Sequence, residues 1–162
     1  LGPAPLLEHW PTLAGCLGGT ALCSMSANSL NQWAEAPFDA QMGRTRGRPL
    51  PALRLSPLAA MGWAGGAGFT GTALLAATSG WLPAGLAALN VAFYAAAYTP
   101  MKRVSVLNTW MGSVVGAIPP LIGWYANIAL QVGAGDLSIW LWQPACLAAL
   151  LYCWQFPHFN AL

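Results

Sequence analysis

The chain has 162 residues, a formal net charge of +2, and only 6% charged residues against 57% hydrophobic ones. Soluble domains are typically about 25% charged, so this composition, with a mean hydropathy of +0.54, excludes an ordinary soluble domain and predicts an integral membrane protein. The cysteines form two pairs without the C-x-x-C spacing of a metal site. We predict that they are small buried residues: Cys16, Cys23, Cys146 and Cys153.

Five stretches with few or no charges are long enough to cross a bilayer, which takes roughly 17–25 residues. A buried core helix could explain any one of them, but five in succession leave almost no polar surface for a soluble fold. We therefore predict an all-α, polytopic transmembrane helix bundle that forms a single membrane domain over residues 1–162. The predicted spans are about 11–34, 57–78, 81–98, 109–132 and 137–156.

The first predicted span ends in a polar stretch that contains two of the four acidic residues of the chain. Asn31, Glu35 and Asp39 stand at every fourth position, so on a helix of 3.6 residues per turn they can share one face. Pro37 removes a helical hydrogen bond and disfavours helical geometry at the residue before it. We therefore expect the helix to kink or end near Pro37, with Asp39 on the following loop.

All six basic residues fall in two loops, which follow the first and third predicted spans. Under the positive-inside rule both loops face the cytoplasm, or the matrix of a mitochondrion, and the N-terminus faces the opposite side. The acidic stretch and the second loop then share one side of the membrane, where we expect the chemistry. The basic residues are Arg44, Arg46, Arg48 and Arg54 after the first span, and Lys102 and Arg103 after the third.

Two carboxylates and an amide beside several arginines suit a divalent cation that holds a phosphorylated substrate. Mg²⁺ is typically bound by one or two carboxylates together with waters and phosphate oxygens, and arginine makes bidentate contacts to phosphate. The alternative is that these are ordinary interfacial charges, with the arginines anchoring the loop to anionic lipid. The pattern by itself leaves both interpretations open.

Glycines and prolines mark how the spans could pack. Three glycine pairs match G-x-x-x-G, a spacing that lets helices approach closely, either within one bundle or in a dimer. Pro119-Pro120 lies inside the fourth span and frees backbone carbonyls that lipid cannot satisfy. It predicts either a packed kink or the wall of a cavity. The glycine pairs are Gly15/Gly19, Gly62/Gly66 and Gly112/Gly116.

The motif Asn31-x-x-x-Glu35-x-x-x-Asp39 resembles the first aspartate-rich motif of the UbiA superfamily of intramembrane prenyltransferases. The longer string N-Q-W-A-E-A-P-F-D-A-Q-M-G-R-T-x-x-R-P-L from Asn31 to Leu50 resembles its haem-farnesylating branch, the protoheme IX farnesyltransferases or haem O synthases. The resemblance covers essentially the whole chain. It continues in Tyr98-Thr-Pro-Met-Lys-Arg103, Asn108-Thr-Trp110, Gly116-Ala-Ile-Pro-Pro-x-x-Gly-Trp124 and Trp154-Gln-Phe-Pro-His-Phe159.

The resemblance implies transfer of a farnesyl group from farnesyl diphosphate to a vinyl group of haem B, which makes haem O on the path to haem A. It also implies Mg²⁺ as a cofactor and nine transmembrane helices with two aspartate-rich motifs. This chain would span about helices two to six, and the second motif would lie beyond its end. We therefore expect a fragment that is inactive by itself.

The resemblance also implies a compartment. Glu35 departs from the aspartate that is commonest in the superfamily, and together with Pro37-Phe38 it favours the mitochondrial form of the enzyme. We expect the inner mitochondrial membrane, with the site facing the matrix. The alternative is a bacterial inner membrane, with the site on the cytoplasmic face.

Roles for single residues follow from the resemblance. Asn31, Glu35 and Asp39 are the candidate catalytic residues and would organise Mg²⁺ on the diphosphate. The diphosphate would also contact basic residues, with Arg46 left to lipid or solvent: Arg44, Arg48, Lys102 and Arg103. Candidates for the haem or acceptor pocket are His158, Tyr98 and Asn108. His158 is either a ligand of the iron, a contact of a propionate, or an ordinary interfacial histidine.

Aromatic faces can stabilise a cation such as the farnesyl cation, although aromatic residues near a membrane interface more often serve as anchors. The candidates near the predicted site are Trp33, Phe38, Tyr94 and Tyr98. Water would have to be kept away from the cation, since it would capture it first.

Three other functions stay open from the residues alone. They are prenyl transfer to another acceptor such as 4-hydroxybenzoate, a non-enzymatic channel or transporter, and an assembly factor for a respiratory complex. The partners expected for the favoured function are farnesyl diphosphate, haem B and the lipid bilayer, with no nucleic acid. A second copy of the chain or a protein of haem A synthesis is left open as a protein partner.

Overall fold

A computed structural model of the protein describes residues 9–131 and 142–160, and these residues contain helices and turns but no strand. The prediction of an all-α fold is confirmed. The helices are α1 Trp10–Asp39, α2 Pro57–Ser79, α3 Trp81–Ala92, a π-helical segment Phe93–Tyr98, α4 Thr99–Met101, α5 Asn108–Gln131 and α6 Trp142–Asn160. The three pieces from α3 to α4 follow one another without a break and form one helix, Trp81–Met101.

A long helix lies at the position of each of the five predicted spans. Residues 132–141, where the fourth predicted span ends and the fifth begins, lie outside the described residues. Within the described ranges, one helix is long and apolar enough by itself to cross a membrane, Trp81–Met101. The number of membrane spans therefore stays a prediction.

The helix ends follow from local sequence. α2 begins after Ser56, whose hydroxyl accepts a hydrogen bond from the backbone N–H of Ala59 at 3.1 Å, and Pro57 occupies the first turn, where no N–H partner is needed. Gly80 separates α2 from α3 with a φ of 95°, a conformation that glycine adopts without steric penalty. This single residue allows α3 to follow α2 directly.

α1 does not end at Pro37, so the expectation that Asp39 lies on the following loop is wrong. The helix runs through Pro37 and ends at Asp39. Pro37 lies in the last turn, where it removes one hydrogen bond, and the backbone N–H of Ala40 still donates to the carbonyl of Ala36 at 3.1 Å. The side-chain amide of Gln41 donates to the carbonyl of Pro37 at 2.9 Å and satisfies it beyond the helix end.

Glycines bring α1 and α2 into close contact. A methyl group on Gly71 would lie 2.7 Å from the carbonyl oxygen of Gly19, and one on Gly15 would collide with the side chain of Thr78. A methyl group on Gly112 would likewise meet the side chain of Tyr98, and one on Gly116 would collide with the side chain of Gln155 on α6. Two of the three glycine pairs therefore serve packing within the bundle. A methyl group on either glycine of the third pair, Gly62/Gly66, would meet no described atom within 4 Å.

Small residues fill the interior and large apolar residues point outward. The buried core includes Ala84 and Ala87 of α3, whereas Phe69 is 79% and Trp81 86% exposed. The prediction of buried cysteines is correct for Cys23 and wrong for the second pair, since Cys146 and Cys153 are exposed. The reason is that α6 packs through its aromatic face against Trp110 of α5, which leaves these two cysteines uncovered by any described residue.

Candidate active site

The polar end of α1 and the segment after the π-helix meet at one end of the bundle. The ammonium of Lys102 donates to the side-chain carbonyl of Asn31 at 3.0 Å, although the two residues are 71 positions apart in the sequence. The hydroxyl of Thr99 lies 3.0 Å from the same oxygen. Asn31 and Thr99 are both buried, so this contact fixes α1 against the helix Trp81–Met101.

Glu35 lies one turn further along α1 and shares the same cations. One of its carboxylate oxygens accepts from the amide of Asn31 at 3.0 Å and from Lys102 at 3.4 Å. Its other oxygen lies 4.0 Å from the guanidinium of Arg103. The Glu35 side chain is 16% exposed, so it is not completely enclosed.

Asp39 forms a second, more buried ion pair at the same end. Its carboxylate accepts from Arg48 at 2.7 Å, and the side chains are 2% and 39% exposed respectively. The hydroxyl of Thr45, which is buried, donates to the backbone carbonyl of Asp39 at 3.0 Å. The turn after α1 is therefore folded back so that its arginine reaches the last residue of the helix.

The π-helical segment sets the rotation of the residues that follow it. A π-turn accommodates one extra residue, so everything after it is rotated by about 100° relative to a continuous α-helix. Thr99 and Lys102 consequently lie on the face that carries Tyr94, whose backbone carbonyl is 2.8 Å from the hydroxyl of Thr99. The Lys102 ammonium also lies over the ring of Tyr98, 4.8 Å from its centroid.

A cavity of about 210 Å³ lies beside this cluster, between α1, the helix Trp81–Met101 and α5. Its wall on α1 carries three polar residues at every fourth position, Thr20, Ser24 and Asn28. This stripe continues along α1 into Asn31, Glu35 and Asp39 within about 100° of rotation. Tyr94 lines the cavity at the end nearest the cluster, since the same residue contacts Thr99.

Two features of the cavity wall bear on its chemistry. The side-chain carbonyl oxygen of Asn90 is buried and accepts no hydrogen bond from any described residue. Pro119 also lines the cavity, so the second of the two interpretations of the proline pair, a cavity wall, describes its position. A buried acceptor without a partner is destabilising, and Asn90 is therefore placed where a bound donor group would satisfy it.

Several predicted site residues lie outside the cluster. Arg44, a predicted contact of the diphosphate, is exposed, as is Arg46, which we expect to face lipid or solvent. Within the described part of the chain neither forms an ion pair. His158 is exposed on α6 and stacks on Trp154 with ring centroids 4.7 Å apart. Asn108 begins α5 and is half-buried.

The predicted aromatic residues lie closer to the cluster. Phe38 lies under the guanidinium of Arg103, and the rings of Tyr94 and Tyr98 are 5.3 Å apart.

Three kinds of contribution to this region are missing from the sequence analysis. Thr99 and Thr45 hold the cluster together, the stripe on α1 lines the cavity, and Asn90 places an acceptor in its wall. The stripe has a signal in the sequence, because Thr20, Ser24 and Asn28 have a four-residue spacing of their own and end three residues before Asn31, which keeps them on the same side of the helix as the motif. Asn90 stands in an apolar helix without any such pattern.

The oxygen atoms of the cluster suit a hard divalent cation. Among the described residues no group of three or more His, Cys, Asp or Glu side chains could hold a metal ion, so a site here would have to add the amide oxygen of Asn31 to the two carboxylates. Amide and carboxylate oxygens are ligands that Mg²⁺ accepts. Each of them is also paired with a lysine or arginine, and these cations would have to move aside or turn to a bound anion.

Comparison with known proteins gives a consistent result. The family model described as UbiA prenyltransferase family matches residues 3–162. A mitochondrial protoheme IX farnesyltransferase of Homo sapiens is 44% identical over 162 residues, which cover all of this chain and 34% of that protein. Its namesake in Arabidopsis thaliana is 45% identical over 162 residues and 36% of its length, and that of Yarrowia lipolytica is 49% identical over 144 residues, which cover 89% of this chain and 29% of that protein.

The chain spans about a third of the length of the curated relatives it matches. No solved structure matches it.

Proposed function

This chain belongs to the UbiA prenyltransferase family, and we propose that the full-length protein transfers a farnesyl group from farnesyl diphosphate to a vinyl group of haem B, forming haem O. Relatives that match the whole chain carry the name of this activity. The observation that carries the proposal is the meeting of Asn31, Glu35 and Lys102 beside the Asp39–Arg48 pair. We also propose that residues 1–162 are inactive without the rest of the protein.

The acidic face of the cluster is proposed to hold the metal. Asn31, Glu35 and Asp39 would hold Mg²⁺, since they present oxygen atoms at successive turns of one helix. When bound, Mg²⁺ supplies a Lewis acid that withdraws charge from the diphosphate leaving group.

The cations of the cluster are proposed to bind the diphosphate. Lys102, Arg103 and Arg48 already lie within 4.0 Å of carboxylate oxygens, so a small rotation of each side chain can turn it from a carboxylate to a phosphate. Arg44 is exposed and would add charge from the loop. Positive groups that are in place before the allylic C–O bond breaks stabilise the charge that develops on the leaving oxygen.

The cavity is proposed to receive the reacting carbon atoms. Tyr94 joins the cluster to the cavity, and its ring and that of Tyr98 present π faces that can stabilise an allylic cation. The walls of Ala87, Val91 and Ile122 are apolar and would keep bulk water from the cation until the vinyl group attacks it. His158, Tyr98 and Asn108 are proposed to contact the haem.

The setting is proposed to be the inner mitochondrial membrane. Relatives carry a mitochondrial name, and the large apolar side chains that point outward, such as Phe69 and Trp81, suit contact with lipid. The loop after α1 and the loop after α4, which hold all six basic residues, would face the matrix. The site would then open toward the matrix.

The test uses the full-length protein, expressed in cells that lack haem O synthase, with extracted haems separated by chromatography and identified by mass. We expect farnesylated haem from the wild type, none from Asp39→Ala, and wild-type amounts from the control Arg54→Ala, since Arg54 is exposed and outside the cluster. Haem B alone from a well-expressed wild type would refute the acceptor assignment. Aromatic acceptors such as 4-hydroxybenzoate would be assayed next.

A further inference from the structure

The ammonium of Lys102 lies where two proposed metal ligands point. It contacts the carbonyl oxygen of Asn31 at 3.0 Å and a carboxylate oxygen of Glu35 at 3.4 Å, the same kinds of oxygen that Mg²⁺ binds. A lysine ammonium and a divalent cation cannot occupy this position together, because both are positive and both need the same lone pairs. Lys102 therefore competes with a metal ion for the site.

The rest of the cluster is built around this lysine. The amide of Asn31 donates to Glu35 at 3.0 Å, so its carbonyl oxygen is held toward Lys102, and the hydroxyl of Thr99 supports the same oxygen. The ring of Tyr98 covers the ammonium from another side. Arg103 lies 4.0 Å from the other carboxylate oxygen of Glu35, and no contact in the described residues joins it to Asn31.

The side chain of Lys102 can also move its ammonium away from Asn31 and Glu35. Its side chain is 25% exposed, and a lysine is a flexible chain that ends in a point charge without a required plane. A diphosphate at the mouth of the cluster would offer it a stronger anionic partner than a shared carboxylate.

We propose that Lys102 is the counter-ion of the Asn31–Glu35 pair when no ligand is bound. A metal ion displaces it with difficulty, and a diphosphate that accepts its ammonium makes the displacement much easier. The inference rests on the proposed function, because it assumes that metal and diphosphate bind at this cluster. It makes the lysine a positioning residue that couples the two ligands. Metal alone binds weakly, and metal and diphosphate bind cooperatively.

The first test measures Mn²⁺ binding by electron paramagnetic resonance on the full-length protein in detergent, with and without inorganic diphosphate. Coupling between two ligands typically amounts to roughly 5–150-fold. We expect diphosphate to raise the Mn²⁺ affinity of the wild type about tenfold, and Lys102→Met to bind Mn²⁺ alone about tenfold more tightly than the wild type with little further gain from diphosphate.

Arg103→Gln is the matched control, because it removes one positive charge beside the same carboxylate without freeing Asn31. We expect it to gain much less affinity for Mn²⁺ alone than Lys102→Met. Equal affinities in the two variants would show a general charge effect and would overturn the inference. Lys102→Arg should keep the weak metal binding of the wild type, and tight binding in that variant would also overturn it.

A second measurement needs no variant, which protects the test against a misfolded Lys102→Met protein. Lys102 is the one lysine among the 162 residues of the chain, so the acetylation of its peptide can be followed by mass spectrometry. Mn²⁺ alone, at concentrations that fill the site, should raise its acetylation rate; an unchanged rate at full occupancy would overturn the inference. Turnover of haem B by the same wild-type preparation tests the proposed function separately, and an active enzyme without the lysine effect would refute this inference alone.

Discussion

At the scale of single residues, the two carboxylates of α1 differ in environment although they are four positions apart. Glu35 is 16% exposed and shares Lys102 and Arg103, whereas the Asp39 side chain is 2% exposed and has Arg48 at 2.7 Å. Burial makes an ionised carboxylate depend on its partner. Asp39 therefore contributes to folding as well as to the proposed chemistry, and Glu35 is the residue better placed to exchange its cations.

This difference predicts a coupling between Asp39 and Arg48. Asp39→Asn should lower the free energy of unfolding of the full-length protein by about 1–2 kcal/mol. The expected loss is modest because Arg48 is partly solvent-exposed. In a double-mutant cycle with Arg48→Gln, unfolding in detergent should show that the second substitution has little further effect once the first is made. Fully additive losses of stability would contradict the ion pair.

A second prediction concerns the histidines. His158 lies on α6 near the Tyr98 end of the bundle, whereas His9 occupies the N-cap position at the opposite end of α1. If His158 contacts the haem as proposed, His158→Ala should shift the Soret band or weaken haem binding in a spectral titration of the full-length protein. The control His9→Ala should leave both unchanged. An unaltered Soret band and affinity in His158→Ala would remove this residue from the haem pocket.

At the scale of elements, the contact of α1 with α2 depends on missing side chains. Gly71→Ala should destabilise the protein by about 1–3 kcal/mol, because the new methyl group meets a backbone oxygen that cannot move away alone. Gly65→Ala, in the same helix with open space around it, should be neutral or up to about 1 kcal/mol stabilising through helix propensity. The two variants are compared by their unfolding midpoints in detergent. Equal midpoints would contradict the close contact of α1 with α2 at Gly71.

How far the sequence predicts these elements depends on what each feature requires. The helices and the shared end of the charged segments follow from hydrophobic length and from the avoidance of charge in apolar surroundings. The continuation of α1 through Pro37 cannot be predicted in this way. It depends on the side chain of Gln41 and on the turn after the helix, which supply hydrogen bonds to the last carbonyl groups of α1. The exposure of Cys146 and the orphan oxygen of Asn90 depend on which neighbours a helix face meets, which local pattern does not specify.

At the scale of the whole molecule, the charge distribution predicts one orientation. Arg46 and Trp81 are both exposed and lie at opposite ends of the bundle, in the loop after α1 and at the start of α3. In mitoplasts, a membrane-impermeant maleimide should label Trp81→Cys and spare Arg46→Cys, and inside-out inner-membrane vesicles should reverse this, each compared with the labelling of the unsubstituted protein. The same pattern in both preparations would contradict the proposed orientation.

The π-helical segment has a consequence for how substitutions in this protein should be judged. On a helical wheel drawn for a continuous α-helix, Thr99 and Lys102 fall about 80° to 180° away from Tyr94 and Asn90, on a different face of the helix. In the folded chain the extra residue between Phe93 and Tyr98 turns them to the side that faces Asn31. Loss or gain of one residue in this segment would leave Lys102 and Arg103 themselves unchanged and would turn these proposed diphosphate-binding residues out of the site.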